Sequence, residues 1–126
     1  NELKPSNQTL IIFDDMVTDI KKHPLISEYF IRGRKKSASI MFLSQSYYST
    51  PKIIRQNINY LVILKLGGTR DVNAILREAS IGISKGDLLY MYKTATKDKF
   101  NVFIINLEKN ANERYRMNFL HYFEIE

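Results

Sequence analysis

The chain has 126 residues, the size of a single domain. It carries 19 Lys and Arg against 13 Asp and Glu, a formal net charge of +6, and its 44% hydrophobic content is that of a globular rather than a disordered chain. It holds no Cys, so disulfides and thiolate metal sites are excluded; its 2 His cannot by themselves build a His-rich metal site; and no apolar run approaches the about 20 residues of a membrane-spanning helix.

The first predicted element is a strand over residues 9–13, a β-branched and apolar run that stops at Asp14-Asp15. Unbroken runs of this kind suit a strand buried on both faces of a parallel sheet. His23 reads as a loop or cap residue. Pro24 suits a first helical turn, Leu25, Ile26, Tyr29 and Phe30 follow at helical spacing, and Gly33 stops the helix. Residues 39–43 form a second buried-type strand, ending at Ser44-Gln45-Ser46. Thr50 then caps a short helix with Pro51 in its first turn, running to about Asn57. Residues 60–66 form a third strand, broken by Gly67-Gly68. Thr69 caps a helix with Val72, Ile75, Leu76 and Ala79 on one face, and Gly82 ends it. Residues 88–93 and 100–105 read as two strands joined by a hairpin loop at 94–99. A last helix carries Tyr115, Phe119, Leu120 and Phe123, with His121 on its surface or in its packing.

This order of elements predicts an α/β layered fold, with a mostly parallel sheet, helices on both faces and an antiparallel hairpin at the C-terminal end. It is read as one partial domain in two stretches, 1–66 and 67–126. The chain opens with neither Met nor a signal peptide, and its first strand begins within ten residues of Asn1. The expectation is a piece of a longer chain.

The charge is uneven. Residues 20–60 hold Lys21, Lys22, Arg32, Arg34, Lys35, Lys36, Lys52 and Arg55 against Glu28, a net of +7. Residues 1–19 hold Glu2, Asp14, Asp15 and Asp19 against Lys4, a net of −3. The basic block is either a solvated face or a site for phosphates.

Three features carry chemistry. Leu10-Ile11-Ile12-Phe13-Asp14-Asp15 has the pattern of a Walker B strand, which ends where α/β sheets bind ligands. There the first acid holds Mg²⁺, usually through water, and the second polarises a water for attack on a γ-phosphate. The competing reading is a plain polar loop. Gln45 follows the neighbouring strand, at the sensor position of ATPases with an extra strand between the Walker strands; otherwise it is a loop amide. Arg32 and Arg34 lie before that strand and Arg55 after it, and guanidinium suits phosphoryl charge in cis or across a subunit interface. The bland alternative is solvated surface arginine. Lys93, Lys97 and Lys99 sit on the expected hairpin loop, as contacts for a nucleic-acid backbone or as a solvated tip. Tyr47-Tyr48 either stack on a base or pack beneath the helix at 51.

LIIFDDM at 10–16 and IRGRKKSASIMFLSQSYYSTPKIIRQN at 31–57 together resemble the FtsK/HerA-type P-loop genome-packaging ATPases. The closest branch is the poxvirus-type one of large DNA viruses, virophages and Polinton-type elements. There an apolar strand ends in two acids, a basic Gly-Arg segment precedes a strand ending in Ser/Thr-Gln-Ser-Tyr, and a Pro-Lys-x-Ile-Arg-x-Asn helix follows. The resemblance implies a RecA-like (ASCE) core, with Asp14 for Mg²⁺, Asp15 as the water-activating base and Gln45 as sensor. Arg34 and, after it, Arg32 are implied as candidate fingers acting on a neighbour's ATP, and Arg55 as facing phosphates, DNA or a subunit interface.

It implies ATP and Mg²⁺ as cofactors, and double-stranded DNA, a self-associated ring and capsid or portal components as partners. It implies a setting in the host-cell viral factory, cytoplasmic or nuclear, or in the virion, with no membrane partner. Relatives often carry Glu where Asp15 stands and Arg-His where Lys35-Lys36 stand. The sequence has no G-x-x-x-x-G-K-[ST], since its 5 glycines at 33, 67, 68, 82 and 86 make none. The expectation is the C-terminal half of an ATP-driven DNA translocase core, cut between Walker A and Walker B and poorly active alone.

Two other functions compete. One is a non-enzymatic basic α/β module that binds nucleic acid through the block at 20–60. The other is a Mg²⁺-dependent nuclease, for which two adjacent acids without a third at a neighbouring strand end make a poor two-metal site.

Overall fold

The computed structural model describes residues 8–16 and 19–125, with the side chains of Arg34 and Lys36 outside the described set. The chain divides into two compact units, Asn1–Ile58 and Asn59–Glu126.

The first unit is built on a parallel pair of strands. β1 (Thr9–Asp14) pairs with β2 (Ala38–Leu43) without offset, from Thr9 opposite Ala38 to Asp14 opposite Leu43. A parallel pair needs a crossover, and α1 (His23–Arg32) with short 3₁₀ turns at Ile20–Lys22 and Gly33–Lys36 supplies it. Pro24 lies in the first turn of α1, as its spacing predicts.

α1 covers one face of the pair. Tyr29 packs on Phe13 at a ring separation of 5.8 Å, and Phe30 meets the edge of Phe42 at 6.3 Å. Ile26 is 1% exposed. Gly33 caps the helix in a right-handed conformation, not the left-handed one typical of a glycine stop. What it provides is room, because a Cβ there would stand 3.1 Å from Cγ1 of Ile40.

The expected strand buried on both faces is corrected. Leu10, Ile12, Met41 and Leu43 project from the other face and are exposed, so both strands alternate half-buried and exposed. α2 (Lys52–Arg55) is shorter than expected and begins after Pro51 rather than Thr50. Thr50 does not cap it, because its hydroxyl donates to the Ser46 carbonyl at 2.8 Å.

The second unit is an antiparallel sheet in the order β3 (Tyr60–Ile63), β4 (Phe103–Asn106), β5 (Tyr115–Met117), β6 (His121–Tyr122). β3 therefore pairs antiparallel with β4, and not within one mostly parallel sheet with β1 and β2. β4 is the central strand and all four of its residues are buried. Its one polar member, Asn106, is satisfied on both sides: it donates to the Tyr60 hydroxyl at 3.2 Å and accepts from the Glu108 amide at 3.1 Å.

α3 (Thr69–Ala79) matches its expected face, with Ala74, Ile75 and Ala79 buried, and Gly82 beyond it takes a φ of +75°. Gly68 is its N-cap, so Thr69 is its first residue rather than its cap.

Two further corrections fall here. Residues 88–93 are not a strand but lie inside α4 (Lys85–Ala95), and no hairpin spans 94–99. Ser84 starts that helix: its hydroxyl accepts from the Asp87 amide at 3.0 Å and donates to the Asp87 carboxylate at 2.7 Å. Leu88, Met91 and Ala95 then form its buried stripe. The last helix is also absent. α5 (Ala111–Arg114) is a single turn, and β5 and β6 form a hairpin through Asn118, whose φ is 56°. Tyr115 draws this segment inward. Its ring stacks on Phe103 at 6.3 Å, and its hydroxyl donates to the Ala79 carbonyl at 2.9 Å. Phe119 and Leu120, expected on a helix face, are exposed turn residues.

Candidate functional site

The parallel register of β1 and β2 brings their C-terminal ends to one edge. Asp14 stands opposite Leu43, and the Asp15 amide donates to the Leu43 carbonyl at 3.3 Å, extending the ladder by one bond. Asp15 itself has a φ of 53°, a left-handed conformation that Asp tolerates better than most residues. The chain thus leaves the extended strand directly after Asp14, with the two carboxylates on successive residues at its end. Both are exposed. His23 steadies the segment that follows: its Nε2 donates to the Met16 carbonyl at 2.8 Å, a contact its place in the sequence does not announce.

On the neighbouring strand, β2 gives way to a loop held by its own hydroxyls. Ser44 Oγ accepts from the Ser46 amide at 3.1 Å and donates to the Ser46 carbonyl at 2.8 Å. Ser46 Oγ accepts from the Ser49 amide at 3.1 Å. Gln45 lies between Ser44 and Ser46, exposed and two residues beyond Leu43. Asp14, Asp15 and Gln45 are therefore set at the same ends of adjacent parallel strands, where an α/β sheet presents ligand-binding groups.

The arginines differ from one another. Arg55 Nε donates to the Thr50 carbonyl at 3.0 Å, and its guanidinium lies 5.4 Å from the Tyr47 ring centre. It braces the loop that carries Gln45, and Tyr47 packs against it. Arg32 is exposed on α1 and pairs with Glu28 at 3.1 Å, an exposed i, i+4 bridge of the kind worth well under about 1 kcal/mol. Arg34 falls in the turn Gly33–Lys36, and its side chain lies outside the described residues.

Of the three lysines expected on a hairpin loop, Lys93 in the last turn of α4 and Lys97 just beyond that helix line one concavity, while Lys99 lies outside it, 5.1 Å from the Phe100 ring centre. No group of three or more His, Cys, Asp or Glu placed to hold a metal occurs among the described residues. Two exposed carboxylates suit Mg²⁺, which keeps much of its water and takes one or two protein acids together with substrate phosphates. They do not suit a metal enclosed by protein ligands alone. No helix among the described residues is long and apolar enough to cross a membrane.

This is an α/β protein whose adjacent parallel strands end in a carboxylate pair and an amide. Residues 1–120 match the family described as Poxvirus A32 protein, and the chain belongs to that family, which is associated with viral DNA-packaging ATPases. Comparison with curated proteins and with solved structures returned no match.

Proposed function

We propose that the chain is the Walker B and sensor portion of an FtsK/HerA-type, RecA-like motor that packages double-stranded viral DNA. Asp14 holds Mg²⁺ through water, and Asp15 accepts the proton of the water that attacks the γ-phosphate of ATP. Gln45 orients that water or the phosphate. The metal, when bound, neutralises charge that develops on the phosphates. Arg32 and Arg34 reach a neighbouring copy's nucleotide in a ring, and Arg55 holds the Gln45 loop. Capsid or portal components, and a viral factory or the virion, are the setting that goes with this role.

The observation that supports it is the common edge shared by Asp14, Asp15 and Gln45 in a chain of the A32 family. The 126 residues contain no P-loop, so hydrolysis requires one from outside them. The test is DNA-stimulated ATP turnover in a packaging protein that carries these residues together with a P-loop. Asp15→Asn should lower turnover by about 100-fold or more, the usual worth of a general base, with the fold intact. Unchanged turnover overturns the assignment.

The second reading, a non-enzymatic basic module that binds nucleic acid, is supported by the net +7 of residues 20–60. It gains ground if the packaging protein binds DNA but hydrolyses no ATP.

A further inference from the structure

We propose that the concave surface between α3 and the C-terminal end of α4 binds the phosphates of a polynucleotide backbone, with Lys65, Lys93 and Lys97 as its cationic donors. It deepens the DNA-handling reading above and rests on it.

The cavity has a volume of about 520 Å³, and all three lysines line it. They come from different places in the chain: Lys65 follows β3, Lys93 lies in the last turn of α4, and Lys97 lies in the loop beyond. No Asp or Glu lines the cavity, and no ion pair is formed by any of the three lysines among the described residues. The lining therefore carries positive charge only, which attracts an anion.

The wall between the lysines is open. Gly67 and Gly68 line it, and a Cβ on either would meet nothing within 4 Å. Neither has a left-handed φ, so neither packing nor backbone conformation calls for glycine there. What the missing side chains leave is room for a ligand to approach the backbone.

The chemistry favours phosphate over base. Tyr92, the one aromatic residue in the lining, is committed elsewhere: its hydroxyl accepts from the Leu66 amide at 2.8 Å, and its ring packs on Phe103 at 6.4 Å. No free ring remains on which a base could stack. Flexible ammonium groups on an open surface suit a phosphodiester contact that carries no sequence information. Lys99, beside Phe100 and absent from the lining, takes no part.

The experiment measures binding of a fluorescent DNA duplex by the 126-residue chain across a salt series, in EDTA and without nucleotide. Each phosphate contact contributes about 0.9 to the slope of log K against log salt. The triple variant K65Q/K93Q/K97Q should therefore lower the slope by about 2 to 3. R77Q/K85Q/K109Q makes the same change of net charge at residues of the same unit outside the lining and should lower it by less than about 1. K65R/K93R/K97R should keep the wild-type slope. Equal slopes in the two Gln triples, or no binding by the wild-type chain at any salt, overturn the proposal. Neither result bears on ATP turnover, which Asp15→Asn tests separately.

Discussion

At the scale of single residues, the structure shows uses of side chains that the sequence leaves open. The resemblance leaves Arg55 facing phosphates, DNA or a subunit interface. In the structure it spends one hydrogen bond on the Thr50 carbonyl and its flat face on Tyr47. Tyr115 is the complementary case, an apparent helix-face aromatic that is wholly buried with its hydroxyl on the Ala79 carbonyl. Tyr115→Phe removes that donor, while the Ala79 carbonyl keeps the Ile81 amide at 3.0 Å. The expected cost is that of one hydrogen bond, about 0.5–1.5 kcal/mol in chemical denaturation, with the backbone fold unchanged. Asp15 shows the same principle at the candidate site. Its left-handed φ is invisible in a run of letters, yet it ends the extended backbone of β1 directly after Asp14.

At the scale of elements, helix and strand look alike where an apolar run is too short to show its period. Residues 88–93 are apolar enough to pass for a strand, but Ser84 caps the Asp87 amide and starts a helix, its hydroxyl held by the Asp87 carboxylate. That signal is local and legible, and it outweighs a short apolar run. Ser84→Ala should lower stability by about 1 kcal/mol through loss of the cap, seen as a lower melting temperature and less helical circular dichroism.

β5 and β6 had no comparable local signal. Their conformation follows from the partners they meet, Ile105 opposite Tyr115 and Phe103 opposite Met117, which lie ten or more residues away in the chain. The elements that were legible are those with a local cause: α1 with Pro24 in its first turn, α3 with its apolar stripe, and β1 and β2 as runs closed by polar residues.

At the scale of the whole molecule, the proposed chemistry and the proposed DNA grip fall in different compact units. Asp14, Asp15 and Gln45 belong to the first, and Lys65, Lys93 and Lys97 to the second. The two activities should therefore separate by mutation. In the 126-residue chain Asp15→Asn should leave DNA affinity within about twofold, since it removes no phosphate contact. The lysine triple should weaken binding at every sequence tested, because backbone contacts do not distinguish bases. Filter-binding or anisotropy titrations on two unrelated duplexes check both expectations.

The sequence by itself determined the α/β character, the uneven charge, the strand ending in Asp14-Asp15, the neighbouring strand ending before Gln45, and the resemblance that the family match bears out in its coarser form. These are legible because each depends on a short stretch of chain: apolar runs, caps and the residues that close them. It took the tertiary structure to show that β3 pairs antiparallel with β4, that the Tyr115 hydroxyl reaches the Ala79 carbonyl, and that Lys65, Lys93 and Lys97 line one cavity. Those facts depend on which segments, far apart in sequence, come to lie side by side. Strand pairing and side-chain convergence are set by packing over the whole unit, and no local pattern encodes them.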